Sequence, residues 1–263
     1  MTAPRFDASA WTGTWPFGDG EAASLAGTIV ALRDAGFAGA LVSPLRAVLA
    51  AEPSAANAAL RDEAARLPAD GFALRLAPVV DPSLADWDRQ LRHETAGAGD
   101  ALGAIRILPN YHAYDLTIPS IDTLAGVLAQ AGIPLVIQVR MLDERAHHPR
   151  MVVPPVPVAA IADLGRRHPA LAIVASGIFF AELAAIRDVP NVCIDLSSVE
   201  TGETLPDVLR AIPPDRVLLG THAPLYVPAA ALAKLGGDGV SQEALDAIDG
   251  LTARRLFHPR TAT

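Results

Sequence analysis

Eight short apolar runs bounded by turn residues alternate with longer amphipathic segments along the whole chain, and this alternation restricts the fold more than any other feature. The runs lie near 5–10, 38–43, 73–80, 104–108, 135–139, 172–175, 192–196 and 217–220, and each predicts a strand. Helices are expected over 24–34, 55–66, 84–94, 121–131, 158–167 and 205–211, where alanine and leucine dominate, with a final helix over 242–257. The strands read as nearly continuous apolar runs, as strands of a parallel sheet covered by helices do. A chain of 263 residues is close to the roughly 250 usual for an eightfold barrel, so the pattern predicts an α/β fold, a TIM (β/α)8 barrel, with residues 1–263 as one domain.

Several boundaries carry chemical marks. Asp81-Pro82-Ser83 ends a strand and offers side-chain oxygens to cap the following helix, and Ser241 is placed to cap the last one. Ala131-Gly132-Ile133-Pro134 closes a helix and starts the next strand. The longest stretch without periodicity, 140–157, follows a strand and so belongs to the face where barrel sites are built; it reads either as a binding loop or as a proline-rich surface excursion.

Composition narrows the partners. A net charge of -8 with scattered basic residues argues against nucleic acid and against anionic membranes. No apolar run reaches the roughly 20 residues that span a bilayer, and the start of the chain lacks the apolar stretch of a signal peptide, so a cytoplasmic location is expected. Cys193 is the only cysteine; it excludes an internal disulfide and reads as a small buried hydrophobe.

The order of elements and several local stretches resemble the amidohydrolase superfamily, in the branch of small-molecule hydrolases and aromatic-acid decarboxylases. The stretches are Asp7-Ala8-Ser9-Ala10-Trp11, Gly132-Ile133-Pro134-Leu135-Val136-Ile137-Gln138, His168-Pro169-Ala170-Leu171-Ala172-Ile173-Val174, Pro190-Asn191-Val192-Cys193-Ile194-Asp195-Leu196-Ser197, Asp215-Arg216-Val217-Leu218-Leu219-Gly220-Thr221-His222-Ala223-Pro224 and Ala253-Arg254-Arg255-Leu256-Phe257. The resemblance implies an amidohydrolase-like TIM barrel whose active members hold a metal through an Asp-x-His-x-His pair, two further histidines and an aspartate. Here the first-strand pair aligns with Ser9 and Trp11, the fifth-strand histidine with Gln138, the sixth-strand histidine with about Gly177, and the eighth-strand aspartate with His222. Catalytic zinc needs about three imidazole, carboxylate or thiolate ligands and an open position, so no metal and no other cofactor is expected. His112, His147, His148 and Asp195 near His222 leave a rebuilt site open, although the adjacent His147 and His148 project in different directions and form no chelate by adjacency. His93, His168 and His258 read as solvent-exposed.

The polar residues at strand ends suggest a small-molecule ligand, carboxylated in the leading reading. Arg106 is a charge inside an apolar strand, and Gln138 and Arg140 share a face of the fifth strand; together they suggest a fork for a carboxylate. The competing reading pairs an arginine with Asp195 or Asp143. Asp195 reads as a support for neighbouring strands more than as a catalytic acid. Trp11, Trp15 and Phe17 either floor a pocket or plug the space that a metal would fill. Three functions stay open. One is a metal-independent hydrolase or related lyase with His222 as general acid or base and Ser9, Trp11, Arg106, Gln138, Arg140 and Asp195 around the substrate. Another is a pseudoenzyme that binds a ligand or partner without turnover, and the last is a structural subunit of a homo-oligomer.

Overall fold

Side chains alternate along each strand, and in this chain one of the two faces is uniformly aliphatic; that face packs under helices and leaves the other to fill the interior. The computed structural model describes residues 4–17, 23–68, 70–149 and 151–258. Strands β1 Phe6–Thr12, β2 Gly39–Pro44, β3 Ala73–Leu76, β4 Ile105–Ile107, β5 Leu135–Gln138, β6 Ile173–Ser176, β7 Val192–Asp195 and β8 Val217–Leu218 follow one another in sequence and in space. Helices α1 Leu25–Asp34, α2 Ser54–Ala65, α3 Trp87–Ala98, α4 Pro119–Ala131, α5 Val158–Arg167, α6 Leu183–Ile186 and α7 Thr204–Ala211 fill the crossovers. The fold is the α/β TIM barrel of the expectation.

All ladder pairing is parallel, in a three-stranded sheet β1-β2-β3 and a five-stranded sheet β4 to β8. Single backbone bonds join their edges. On one side Arg106 N–H donates to Pro78 O and Val80 N–H to Arg106 O, both at 3.0 Å; Pro78 has no N–H, which is why the run 73–80 does not continue as ladder beyond Leu76. On the other, Ala8 N–H donates to Leu219 O and Trp11 N–H to Ala223 O, both at 2.8 Å. Gly220 packs so closely here that a Cβ would stand 2.5 Å from Ser9 Oγ and 2.8 Å from Asp195 Cβ.

The large core lies between strands and helices, with Ile105, Ile107, Leu135, Ile137, Ile173, Val192, Ile194 and Val217 from the outward strand faces. Inside the barrel the inward positions form tiers. Phe6, Ala8, Leu41, Ala104, Val136, Val174, Cys193 and Leu218 make an apolar floor with Phe257. Cys193 is thus buried, and burial pushes its thiol up to about 11. One step along each strand come Arg106, Gln138, Ser176 and Asp195, with Ser9 from β1, all wholly buried. Above them Trp11, Trp15, Leu45, Val48, Leu108 and Met141 close the mouth as a separate apolar cluster, so the tryptophans plug the barrel.

One local expectation changes. Asp81 Oδ1 accepts Ser83 N–H and Oγ–H in a tight turn of its own, and the next helix starts only at Trp87 without a side-chain cap. After a short α8 Pro228–Ala233, the last helix runs without interruption over 242–257 as expected, with a wider π turn over Ala247–Leu251 between its parts α9 Gln242–Asp246 and α10 Thr252–Phe257. The segment after β5 carries a short turn of helix at Glu144–Ala146. Ser241 does cap α9, accepting Ala244 N–H at 3.2 Å. Among the described residues no helix is long and apolar enough to cross a membrane.

Candidate functional site

The wholly buried polar tier is where the barrel carries chemistry. Ile105 and Ile107 anchor β4 outward, which forces Arg106 into the interior. Its Nη1 donates to Gln138 Oε1, and its guanidinium carbon stands 4.3 Å from the centre of a Trp11 ring, a cation–π distance. Nε and Nη2, which share one edge of the guanidinium, have no hydrogen-bond partner. Burial draws the Arg106 pKa down to about 10 against the opposing fields of Asp195 and Asp7, so the group stays cationic at neutral pH. Gln138 uses its other end as well, since Nε2 donates to Arg140 O at 2.7 Å.

Asp195 Oδ1 accepts Ser197 N–H at 2.9 Å, whereas Oδ2 is buried without a partner. Ser176 Oγ and Ser197 Oγ are also unpartnered. Strands β4, β6 and β7 and the residues just after them thus contribute five orphaned polar atoms, and each costs about 1–3 kcal/mol unless something meets it.

His222 is held from every side. It has a left-handed backbone, φ 58°, and its N–H donates to Ser9 Oγ at 3.1 Å. Trp11 Nε1–H can only donate, so His222 Nδ1, 3.1 Å away, accepts; Met141 O can only accept, so Nε2, 2.7 Å away, carries the proton. These contacts fix a neutral Nε2–H tautomer and occupy both ring nitrogens. Burial pushes the pKa down to about 4, aided by Arg106 and opposed by Asp195 and the Met141 carbonyl. Beside it, Asp7 accepts Thr221 N–H at 2.9 Å, Thr221 Oγ1–H at 2.5 Å and Ser9 N–H at 3.0 Å; burial outweighs these bonds and raises its carboxyl from 3.8 to about 6.

Arg140 does not join Arg106. Its Nη1 and Nη2 grip Glu182 Oε2 and Oε1 at 2.7 Å each, Nη1 also donates to Gly177 O at 2.7 Å, and Nε reaches Glu144 at 3.3 Å. The Phe179 ring centre lies 3.8 Å from its guanidinium carbon. The partner is therefore Glu182, neither Asp195 nor Asp143, which binds Arg145 instead. The sequence points to the inward residues of the tier but not to Asp7, Ser176, Ser197 and Glu182. For Ser176 the signal was present, because it pairs in register with Gln138. The other histidines disperse: His112 bonds Ala47 O, His147 accepts Val153 N–H, and His93 and His168 contact Arg61 and Asp122.

A sequence profile described as Amidohydrolase matches residues 11–258. The chain belongs to the amidohydrolase family. No curated protein matches it in sequence. Among solved structures, this family member is similar to a 2,6-dihydroxybenzoate decarboxylase complexed with 2,6-dihydroxybenzoate, at TM-score 0.73 and 18% identity over 97% of this chain and 99% of that one. A 5-carboxyvanillate decarboxylase from Sphingomonas paucimobilis gives 0.73 and 14% over 97% and 99%. An amidohydrolase from Burkholderia multivorans with bound zinc gives 0.71 and 15% over 98% and 100%. These identities establish the shared fold.

The family's metal does not fit the residues at its inherited positions. Ser9 Oγ is spent on the His222 amide, Trp11 offers a donor, Gln138 Oε1 is bound to a fixed cation, and both nitrogens of His222 are engaged. Among the described residues no group of three or more histidine, cysteine, aspartate or glutamate side chains could hold an ion. A second positive charge would also face the Arg106 guanidinium in a buried interior.

Proposed function

We propose that this amidohydrolase-family protein binds a small hydroxylated carboxylate in the barrel centre without the metal-activated water of its hydrolytic relatives. One observation carries the reading: the unpartnered Nε–Nη2 edge of Arg106 shares a buried tier with the unpartnered Asp195 Oδ2. A guanidinium edge matches the two oxygens of a carboxylate, and a carboxylate such as Asp195 is met by a hydroxyl donor. A ligand carrying both groups answers donors and acceptor together. The similarity to a decarboxylase complexed with 2,6-dihydroxybenzoate supports the ligand class, since that molecule is a hydroxylated carboxylate.

The geometry favours binding over turnover. Acid–base catalysis by His222 needs a free nitrogen and a pKa near the working pH, whereas its nitrogens serve Trp11 and Met141 and its pKa lies near 4. The apolar cap over the tier makes entry depend on its displacement, so association is slow for a small molecule.

Thermal unfolding and calorimetry with 2,6-dihydroxybenzoate, benzoate and phenol test the reading. The hydroxylated acid is expected to bind best and phenol not at all, and Arg106→Gln is expected to abolish binding. Equal behaviour of the three ligands would overturn it, as would stoichiometric zinc or manganese by elemental analysis of purified protein.

A further inference from the structure

A cavity of about 570 Å³ lies outside the central tier, between the segment following β4 and the segment leading into α5. Both segments leave the strand ends where barrel proteins build sites, and the volume suits a ring-sized molecule. The walls are fixed in advance. Asn110 Nδ2 donates to Val139 O at 3.0 Å and to Pro154 O at 3.1 Å, tying the two segments together. Val156 N–H donates to Val139 O at 3.0 Å. Ala113, in the opposite wall, takes a left-handed φ of 57°, a strained choice for a residue with a side chain.

The chemistry of the lining is one-sided. Pro109, Pro154, Pro155 and Pro157 contribute no N–H, the Pro109, Pro154 and Pro157 carbonyls already accept Tyr114 N–H, Asn110 Nδ2–H and Ala160 N–H, and the Asn110 amide hydrogens are consumed by that clamp. Tyr114 turns its hydroxyl into the interior, in the field of Asp81, and so offers its ring. Asp115 is the one charged side chain of the lining, is exposed, and forms no ion pair or side-chain hydrogen bond among the described residues. An apolar proline-rich wall with an aromatic ring and one unpaired carboxylate complements a cation with an apolar body.

We infer that this rim cavity is a binding site for a small organic cation of the arylalkylammonium class, with the ammonium on Asp115 and the ring among Tyr114, Leu116 and the prolines. It is independent of the carboxylate site at Arg106.

Calorimetry at neutral pH with benzylammonium, benzyl alcohol and benzoate tests the assignment. Benzylammonium is expected to bind at least about tenfold more tightly than the alcohol, and benzoate not to bind. Asp115→Asn, a surface change that leaves folding intact, is expected to erase that preference, and Ala160→Phe to block the cavity. Arg106→Gln should leave benzylammonium binding unchanged, which separates this site from the central one. Failure of benzylammonium to bind by about 10 mM, or equal binding by the wild type and Asp115→Asn, would overturn the assignment.

Discussion

The Trp11–His222 contact replaces what would be a coordination bond with a neutral hydrogen bond. Trp11 occupies a position that the family resemblance gives to a metal ligand, and its indole N–H fixes the lone pair of His222 Nδ1 at 3.1 Å. Trp11→Phe keeps a ring against Arg106 but leaves that buried lone pair unmet. It is expected to destabilise the fold by about 1–3 kcal/mol, read as a lower urea midpoint with an unchanged slope. The inward polar side chains were legible in the sequence, because Arg106, Gln138 and Asp195 interrupt apolar runs. The state of His222 was not: its partners lie 211 and 81 positions away in the chain, and only closure of the barrel brings them to the ring. The same holds for Arg140, whose partner Glu182 stands 42 residues downstream on the next crossover.

At the scale of elements, the seam between β8 and β1 is held more by side chains than by ladder. β8 is two residues long, yet Asp7, Ser9 and Thr221 cross-link the strand ends, and Gly220 lets them approach. Gly220→Ala would drive a methyl group into Ser9 Oγ and Asp195. An overpacked core position costs about 1–3 kcal/mol, and here the loss should come with faster hydrogen exchange of the Ala8 and Trp11 amides, which bridge the seam. Unchanged exchange at those two amides would show that the seam does not depend on the glycine. The eight strands and most helices were readable from apolar periodicity. Their ends were not, since Pro78 silences a donor in mid-run and Asp81 spends its carboxylate on Ser83 instead of a helix cap.

Across the whole molecule, two buried groups oppose each other in acid. Asp7 titrates near 6 when folded and at 3.8 ordinarily, so between these values the folded state holds the extra proton and stability falls as pH rises. His222 titrates near 4 when folded and at 6.5 ordinarily, so the unfolded chain takes the proton first and stability falls as pH drops from 6.5 towards 4. Between about pH 4 and 6 the two slopes have opposite signs and similar size, and their joint contribution is nearly flat. Asp7→Asn breaks the balance while keeping much of the local bonding: its carbonyl still accepts an amide, and its NH2 can donate to the Thr221 hydroxyl. The difference in unfolding free energy between wild type and Asp7→Asn isolates Asp7, because the remaining groups titrate alike in both. That difference should shift in favour of the wild type as pH falls from 7 to below 4, by on the order of 3 kcal/mol, most of it between about 6 and 4. Parallel urea titrations of the two proteins across this range would read it directly. A difference that stays constant with pH would mean that Asp7 ionises as an ordinary carboxylate, and that the β8–β1 seam is wetter than its complete burial implies.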